Sequence, residues 1–317
     1  MTALTEAAAA QPARRPKRDK TSVLYDAPGP RARLRNNILT LVSLIVILAI
    51  AYVIIAQMQD KDQFAGKLWK PFIQGNTWTD FIIPGLEGTL KAAGVAAVLA
   101  LAFGVVFGIA RLSEHAWIRV PCGAVVEFFR AIPLLLLIFF IFSGPATIAN
   151  ALGYEPPQIS AFTALVLGLM LYNGSVLAEI FRSGINAVPK GQSEAAYALG
   201  LRKGGVMRLI LIPQATTAMM PAIVSQLVVL LKDSALGWII SYEDLLNSGY
   251  RIIPAQYGNL IPAAIVIAAI YITLNLALSY LAHWLERRSR RSRKSAAKTF
   301  AAEPVGQVEI GAGAGGV

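Results

Sequence analysis

The sequence predicts an all-α protein that crosses a membrane several times. Hydrophobic residues make up 56% of the 317-residue chain, charged residues only 15%, and the hydrophobic residues are gathered into long runs. A helix needs about 20 apolar residues to cross a hydrocarbon layer about 30 Å thick. Because backbone N–H and C=O groups find no water in lipid, runs of this length are expected to be helices rather than strands.

Six runs are long enough to span, and this number defines the predicted architecture. They cover residues 38–56, 89–110, 123–143, 159–181, 213–232 and 259–285. The fifth run is the least apolar, since Gln214, Ser225 and Gln226 lie within it. Polar side chains and prolines are tolerated where neighbouring helices satisfy them, which favours a helix buried among others. A helix lying along the membrane surface is the alternative for this run.

The distribution of charge predicts the orientation. The net charge is +11, and residues 1–37 carry eight Lys or Arg against three acids, whereas residues 57–88 carry three against four. Loop 182–212 carries five basic residues against one acid. Basic flanks stay in the cytoplasm, and with six spans both termini share that side with loops 111–122 and 182–212. We therefore expect both termini to be cytoplasmic, and we attribute the basic excess to topology and lipid rather than to nucleic acid.

Four segments are predicted along the chain. Residues 1–37 form a basic cytoplasmic tail that is expected to be disordered, because it has too few apolar residues to form a core. Residues 38–56 form an N-terminal helix; it is too long for a cleavable signal and lacks a cleavage site after it. Residues 85–285 form the main transmembrane domain, and 286–317 form a basic, low-complexity cytoplasmic tail.

Loop 182–212 contains a predicted short helix. Pro189 breaks the preceding helix, Ser193 is placed to cap the next one, and Glu194 suits its positive end. Gly200 is expected to end this helix in the left-handed conformation. A helix of about two turns is marginal in water, so a docking partner is expected to stabilise it.

The same loop carries a known family pattern. Glu194-Ala195-Ala196, three residues, Gly200, nine residues and then Ile210-x-Ile212-Pro213 resembles the EAA motif of ABC importer permeases, with Ile212 in place of the usual Leu. Three further stretches resemble the polar amino acid branch of that family: EFFRAIPLLLL at 127–137, LAEIFRSGINAVPKGQSEAA at 177–196 and LLKDSALGWII at 230–240. VLYDAPGP at 23–30 resembles the start of glutamate-uptake permeases.

This resemblance implies a type I ABC importer (MetI-like) permease fold with one extra N-terminal helix, located in the inner (cytoplasmic) membrane. It implies uptake of a polar amino acid, glutamate in first place. The implied partners are two ATP-binding subunits, an extracytoplasmic substrate-binding protein and a second permease, which the glutamate resemblance favours as a different chain. Glu194, Ala195, Ala196 and Gly200 are implied to couple the chain to its ATPases.

Catalytic motifs are missing from the sequence. It contains no G-x-x-x-x-G-K-[ST] phosphate loop, no H-E-x-x-H and no G-x-S-x-G pattern, so we expect no enzyme, no cofactor and no metal site, with ATP bound by another polypeptide. Cys122 is alone and excludes a disulfide framework. An ion-gradient-driven secondary amino acid transporter is the alternative, although the inverted repeats and broken helices typical of that class are not found.

Polar residues within the spans are candidates for the substrate pathway. Tyr172, Asn173 and Ser175 lie in the fourth run and Gln226 lies in the fifth. Such groups bind a zwitterion in an apolar cavity, or else they hydrogen-bond one helix to another.

Charged residues at two span ends form i, i+3 pairs. Arg130 is expected to pair with Glu127, either as a structural pair or as part of the substrate pathway, and Arg182 is expected to pair with Glu179 as a brace for the loop. Lys232 and Asp233, near the outer boundary, are a possible third pair.

Overall fold

A computed structural model describes residues 29–301, with the side chains of 282, 283 and 285–301 outside that description. Every regular element within this range is a helix. Two compact units divide the chain after Asp62. Most of residues 1–37, the predicted disordered tail, lie outside the described residues, but 30–37 are helical, which corrects the prediction for them.

Within its described residues, the first unit contains one long helix, α1 (Pro30–Asp60), with no buried residue. The hydroxyls of Thr40 and Ser43 donate to carbonyls four residues earlier, at 2.8 Å each. These two hydroxyls are therefore satisfied within the helix, and the exposed side chains of residues 38–56 are otherwise almost all apolar, as a lipid-facing span requires.

The described part of the second unit, residues 63–301, contains seven main helices. They are α2 (Ile83–Ala110), α3 (Ala116–Ala131), α4 (Leu134–Ala151), α5 (Ala161–Asn186), α6 (Lys190–Ala198), α7 (Ile212–Asp233) and α8 (Leu260–Ala301). Shorter α-helical and 3₁₀ pieces connect them at Gly66–Trp69, Lys70–Ile73, Gly75–Thr77, Lys203–Gly205, Ser234–Ile240, Leu245–Asn247 and Ile253–Tyr257. Among the described residues, six helices are long and apolar enough to cross a membrane. The predicted all-α fold with six spans is confirmed.

The third span differs from its prediction. Residues 123–143 were expected to form one helix, but the chain breaks at Ile132 and Pro133, whose backbones are extended. Proline disfavours the helical conformation of the residue before it, so α3 ends at Ala131 and a separate spanning helix, α4, begins at Leu134. Glu127 and Arg130 consequently lie on the amphipathic helix α3 rather than inside a span.

Two spans begin earlier than expected because the helices continue through prolines. Each of three π-helical turns ends two residues before a proline: Trp78–Ile82 before Pro84, Val206–Leu211 before Pro213, and Ser248–Ile252 before Pro254. Proline has no N–H to donate, and its ring clashes with the carbonyl four residues back. A wider turn relieves both problems without ending the helix. The spans therefore run over Gly75–Ala110 and Lys203–Ile240.

Helix α5 is at the centre of the second unit and packs most closely on α2. The buried face of α2 carries a small residue at every fourth position: Ala92, Ala96, Ala100, Gly104 and Gly108. A Cβ on Gly104 would lie 2.7 Å from the Cβ of Leu177, and one on Gly108 would lie 2.9 Å from the carbonyl oxygen of Ala178. Small residues in this pattern let two helix backbones approach closely inside a membrane.

A second apolar cluster lies at the other end of α2, around Ile82, Leu245 and Ile267. The hydroxyl of Tyr242 donates to the carbonyl of Gly88 at 2.9 Å, and the N–H of Leu245 donates to Thr89 Oγ1 at 3.0 Å. The start of α2 and segment 242–248, both from regions predicted to lie outside the cell, are thereby joined at one end of the molecule.

Candidate functional site

The short loop helix α6 starts earlier than its capping pattern predicted. It begins at Lys190, with Pro189 as the N-cap residue in an extended conformation. Ser193, expected to be the cap, lies inside the helix, and its hydroxyl donates to the carbonyl of Lys190 at 2.8 Å. Proline at the boundary already provides the turn into the helix, since its φ is fixed near the helical value.

The end of α6 is formed as predicted. Gly200 has a φ of +77°, in the left-handed region. Its N–H donates to the carbonyl of Tyr197 at 2.9 Å, and the N–H of Leu201 donates to the carbonyl of Ala196 at 3.2 Å. These two bonds constitute a Schellman motif, which satisfies the last carbonyls of the helix and gives it a defined end.

The two alanines of the motif point in different directions. Ala196 is 4% exposed, and α6 packs against the π-helical turn Val206–Leu211 of its own chain. Ala196 therefore faces its own chain, whereas Ala195, about 100° away around the helix, is exposed. The outward surface carries Glu194 and Ala195, and Leu199 beside Gly200 is 83% exposed.

A cluster of five charged side chains lies where α2, α3 and α5 meet. Arg111, directly after α2, donates from Nη1 to Glu179 Oε2 of α5 and from Nη2 to Glu127 Oε1 of α3, both at 2.9 Å. Its side chain is 12% exposed. Arg130 lies 3.4 Å from Glu127, and Arg182 Nε donates to Glu179 Oε2 at 3.0 Å.

Both predicted i, i+3 pairs are therefore confirmed, but the residue that links them was missed. Arg111 follows an apolar span, and a single basic residue at that place is ordinary for a cytoplasmic flank. Only the tertiary structure brings it to carboxylates 16 and 68 positions further along the chain.

A second contact joins the loop after α6 to the turn after α2. Lys203 Nζ lies 2.8 Å from Glu114 Oε1 and donates to the carbonyl of Leu112 at 3.5 Å. The ammonium of Lys203 lowers the pKa of Glu114 below its ordinary value through the hydrogen bond and the charge. Loops 111–122 and 182–212 therefore lie at the same end of the molecule.

The polar residues of the fourth and fifth predicted spans form a line between α5 and α7. Gln226 Nε2 donates to Asn173 Oδ1 at 2.6 Å, and Asn173 Nδ2 donates to Asp233 Oδ2 at 3.4 Å. Asn173 and Ser175 are fully buried, and the Ser175 hydroxyl has no hydrogen-bond partner in the described part of the chain. Tyr172 is half-buried.

The structure differs from the sequence prediction at Asp233 and at Arg130. Asp233 contacts Asn173 of another helix, and the ion pairs of the described residues do not include one between Asp233 and Lys232. The missed signal was an acid at the end of a span, where an ionisable group needs a partner. Arg130 of α3 belongs to the charge cluster, whose α5 members Glu179 and Arg182 lie six and nine residues beyond Asn173. The structure therefore separates Arg130 from the other pathway candidates.

Spanning helices packed through small residues, together with a capped loop helix that presents an exposed face, define a polytopic membrane protein whose features match those expected of a transport subunit. The chain belongs to the family of binding-protein-dependent transport system inner membrane components, whose family model matches residues 100–291. It is therefore a multi-pass inner membrane protein.

Relatives of this family share the greater part of the chain. The glutamate transport system permease protein GluD of Corynebacterium glutamicum is 45% identical over 231 residues, which cover 73% of this chain and 83% of the relative. The arginine transport system permease protein ArtQ of Bacillus subtilis is 36% identical over 208 residues, 66% of this chain and 92% of the relative. The glutamate/aspartate import permease protein GltK of Escherichia coli is 30% identical over 210 residues, 66% and 93% of the two chains.

Solved structures confirm the predicted fold. A chain of an amino acid ABC transporter, crystallised with histidines, superimposes with a TM-score of 0.61 at 34% identity, over 67% of this chain and 95% of that one. A chain of the MetNI methionine ABC transporter superimposes with a TM-score of 0.53 at 19% identity, over 67% and 95% of the two chains, which shows a common fold alone.

Proposed function

We propose that this chain is the transmembrane subunit of an ATP-driven ABC importer that carries a polar amino acid, with glutamate as the first candidate, into the cell. The observation that carries the substrate proposal is the 45% identity with a glutamate permease over most of both chains. The 36% identity with an arginine permease supports amino acids as the substrate class, but it does not favour one amino acid over another.

Helix α6 is proposed as the element that couples transport to ATP hydrolysis in separate ATPase subunits. Its outward residues Glu194, Ala195 and Leu199 form the docking surface, Gly200 fixes its end, and Ala196 anchors it to its own chain. This arrangement supports the proposal because a two-turn helix held on one side leaves its other side free for a partner. The further partners are a substrate-binding protein outside and a second, different permease.

Both termini are proposed to be cytoplasmic, with residues 85–285 as the transporting domain. The contact of Lys203 with Glu114 supports the predicted topology, because it brings together two loops that were predicted to share one side of the membrane, and the charge distribution assigns that side to the cytoplasm. The contact of Leu245 with Thr89 supports it from the opposite end.

The substrate pathway is proposed to run beside Gln226 and Tyr172, the half-buried members of the polar line. Asn173 holds the Gln226 amide at 2.6 Å, and Ser175 lies within one turn of Asn173 on the same helix. Arg130 is proposed as a later contact, at the cytoplasmic end, for a substrate that carries a carboxylate.

Uptake by the complete complex in proteoliposomes tests this function. The vesicles contain ATP or no ATP, receive labelled glutamate with the binding protein outside, and are challenged with unlabelled glutamine or arginine. We expect glutamate uptake that needs internal ATP and persists when ionophores collapse the ion gradients. Uptake that follows an imposed ion gradient without ATP would support the secondary transporter instead, and uptake of arginine alone would refute the choice of glutamate.

A further inference from the structure

Arg111 differs from the other arginines of the charge cluster in what it joins. Arg130 and Arg182 each lie beside a carboxylate three positions away on their own helix. Arg111 alone, among the described ion pairs, bridges carboxylates on two other helices, Glu127 on α3 and Glu179 on α5. An arginine has a planar fork of donors that can serve two carboxylates at once, whereas a lysine is a single point charge.

The two bonds of Arg111 have different structural consequences. Helices α2 and α5 are already fixed to each other by the close approach at Gly104 and Gly108, so the bond to Glu179 is not needed to hold them. Helix α3 is separated from α4 by the break at Ile132 and Pro133. Helix α3 also packs directly against α5 and α2, and among the described ion pairs only the one between Arg111 and Glu127 joins α3 to another helix.

The turn that carries Arg111 is also tied to the loop of α6. Lys203 lies three residues after Gly200 and holds both the carbonyl of Leu112 and the carboxylate of Glu114. A displacement of α6 by a docking partner would pull on Lys203, and through the Leu112 carbonyl it would reach Arg111, the preceding residue in the chain. The described contacts thus form a path from the α6 loop to α3 that consists of two side-chain hydrogen bonds joined by the peptide link between Arg111 and Leu112.

We infer that Arg111 is a positioning residue that transmits the movement of the α6 loop to helix α3. The movement reaches the turn of Arg111 through the contacts of Lys203 with Glu114 and Leu112, and the Lys203–Glu114 ion pair is called the input pair. The inference rests on the proposed coupling role of α6. It assigns to Arg111 no contact with substrate or ATP, and it predicts a loss of coupling rather than a loss of folding when the fork is removed.

The ratio of ATP hydrolysed to amino acid imported, measured in proteoliposomes with equal amounts of complex, tests the inference. Arg111→Lys keeps the charge but removes the fork, and it is expected to raise this ratio several-fold while membrane abundance holds. Arg119→Ala is the matched control, because Arg119 is exposed on α3 and donates only to the Ser113 carbonyl in the described contacts. The control should keep the wild-type ratio.

Charge exchange on the exposed input pair provides the second arm and does not depend on a buried site. Lys203→Glu and Glu114→Lys alone should each raise the ratio, and the double variant, which restores the ion pair but not the bond to the Leu112 carbonyl, should recover part of the wild-type ratio. An unchanged ratio in Arg111→Lys, or transport and hydrolysis that fall together with abundance, would overturn the positioning role, as would a double variant that recovers no part of the ratio. A wild-type complex that imports without ATP would overturn the proposed function and this inference together.

Discussion

Gly200 is the residue at which a single substitution should most clearly disturb coupling. Its φ of +77° is left-handed, and an added Cβ would have no neighbour within 4 Å. The cost of a side chain there is therefore a backbone cost, about 1–2 kcal/mol for an ordinary residue. On a two-turn helix a cost of this size shifts the balance between formed and frayed ends by a factor of about 5–30.

We expect Gly200→Val to lower transport and substrate-stimulated ATP hydrolysis together, because the frayed end disturbs the surface proposed to dock on the ATPase. Gly200→Asn should be milder, since asparagine tolerates the left-handed region. Gly191→Ala is the matched control: Gly191 is an exposed residue of the same helix, also without a neighbour, and its φ is not positive.

The assay combines pull-down of the ATPase subunit with stimulated hydrolysis in proteoliposomes, at equal membrane abundance. Abundance should hold, because the substitution lies in a loop outside the lipid. Normal ATPase binding together with normal stimulated hydrolysis in Gly200→Val would refute the reasoning that α6 is the coupling element.

Two further substitutions test buried positions at opposite ends of α2: Asp244, which is fully buried in segment 242–248, and Gly108. Burial raises the pKa of Asp244 to about 7. Between about pH 4 and pH 7 the folded protein therefore keeps a proton on this carboxyl that the unfolded chain has already lost. The free energy of unfolding should fall by about 4 kcal/mol as the pH rises across that window. Asp244→Asn should flatten this fall in thermal unfolding scans while exposed Glu243→Gln leaves it, and equal slopes for Asp244→Asn and wild type would contradict the assignment. Gly108→Val should lower the amount of folded protein in the membrane through overpacking of about 1–3 kcal/mol against α5, whereas Gly94→Val, with open space around it, should not; equal amounts would contradict the close α2–α5 contact.

The sequence was sufficient for features that depend on local chemistry. Spans follow from long apolar runs, and Gly200 could be assigned because a glycine at a helix end has a specific backbone role. The break at Ile132 was missed because the apolar run continues through Pro133, although the rule that governs the residue before a proline was available. The π-helical turns were missed for the opposite reason, since a proline usually suggests a helix start rather than a helix that continues.

The remaining errors concern residues whose roles depend on distant parts of the chain. Two adjacent alanines look alike in the sequence, and only the packing of α6 on Val206–Leu211 shows which of them is buried. The hydrogen bond from Arg111 to Glu179 joins residues 68 positions apart, and no local sequence pattern predicts it. The same holds for Asp233, whose partner is Asn173 on another helix rather than its neighbour in sequence.

The most direct measurement is a cross-link from the outward face of α6. Cys122 is the only cysteine of the chain, so Cys122→Ser combined with Ala195→Cys places a single thiol on the proposed docking surface. We predict that this thiol reacts with an impermeant reagent only from the cytoplasmic side and cross-links to the ATPase subunit in the assembled complex. Labelling from the outside, or a complex that retains its ATPase without any cross-link from Ala195→Cys, would contradict the account.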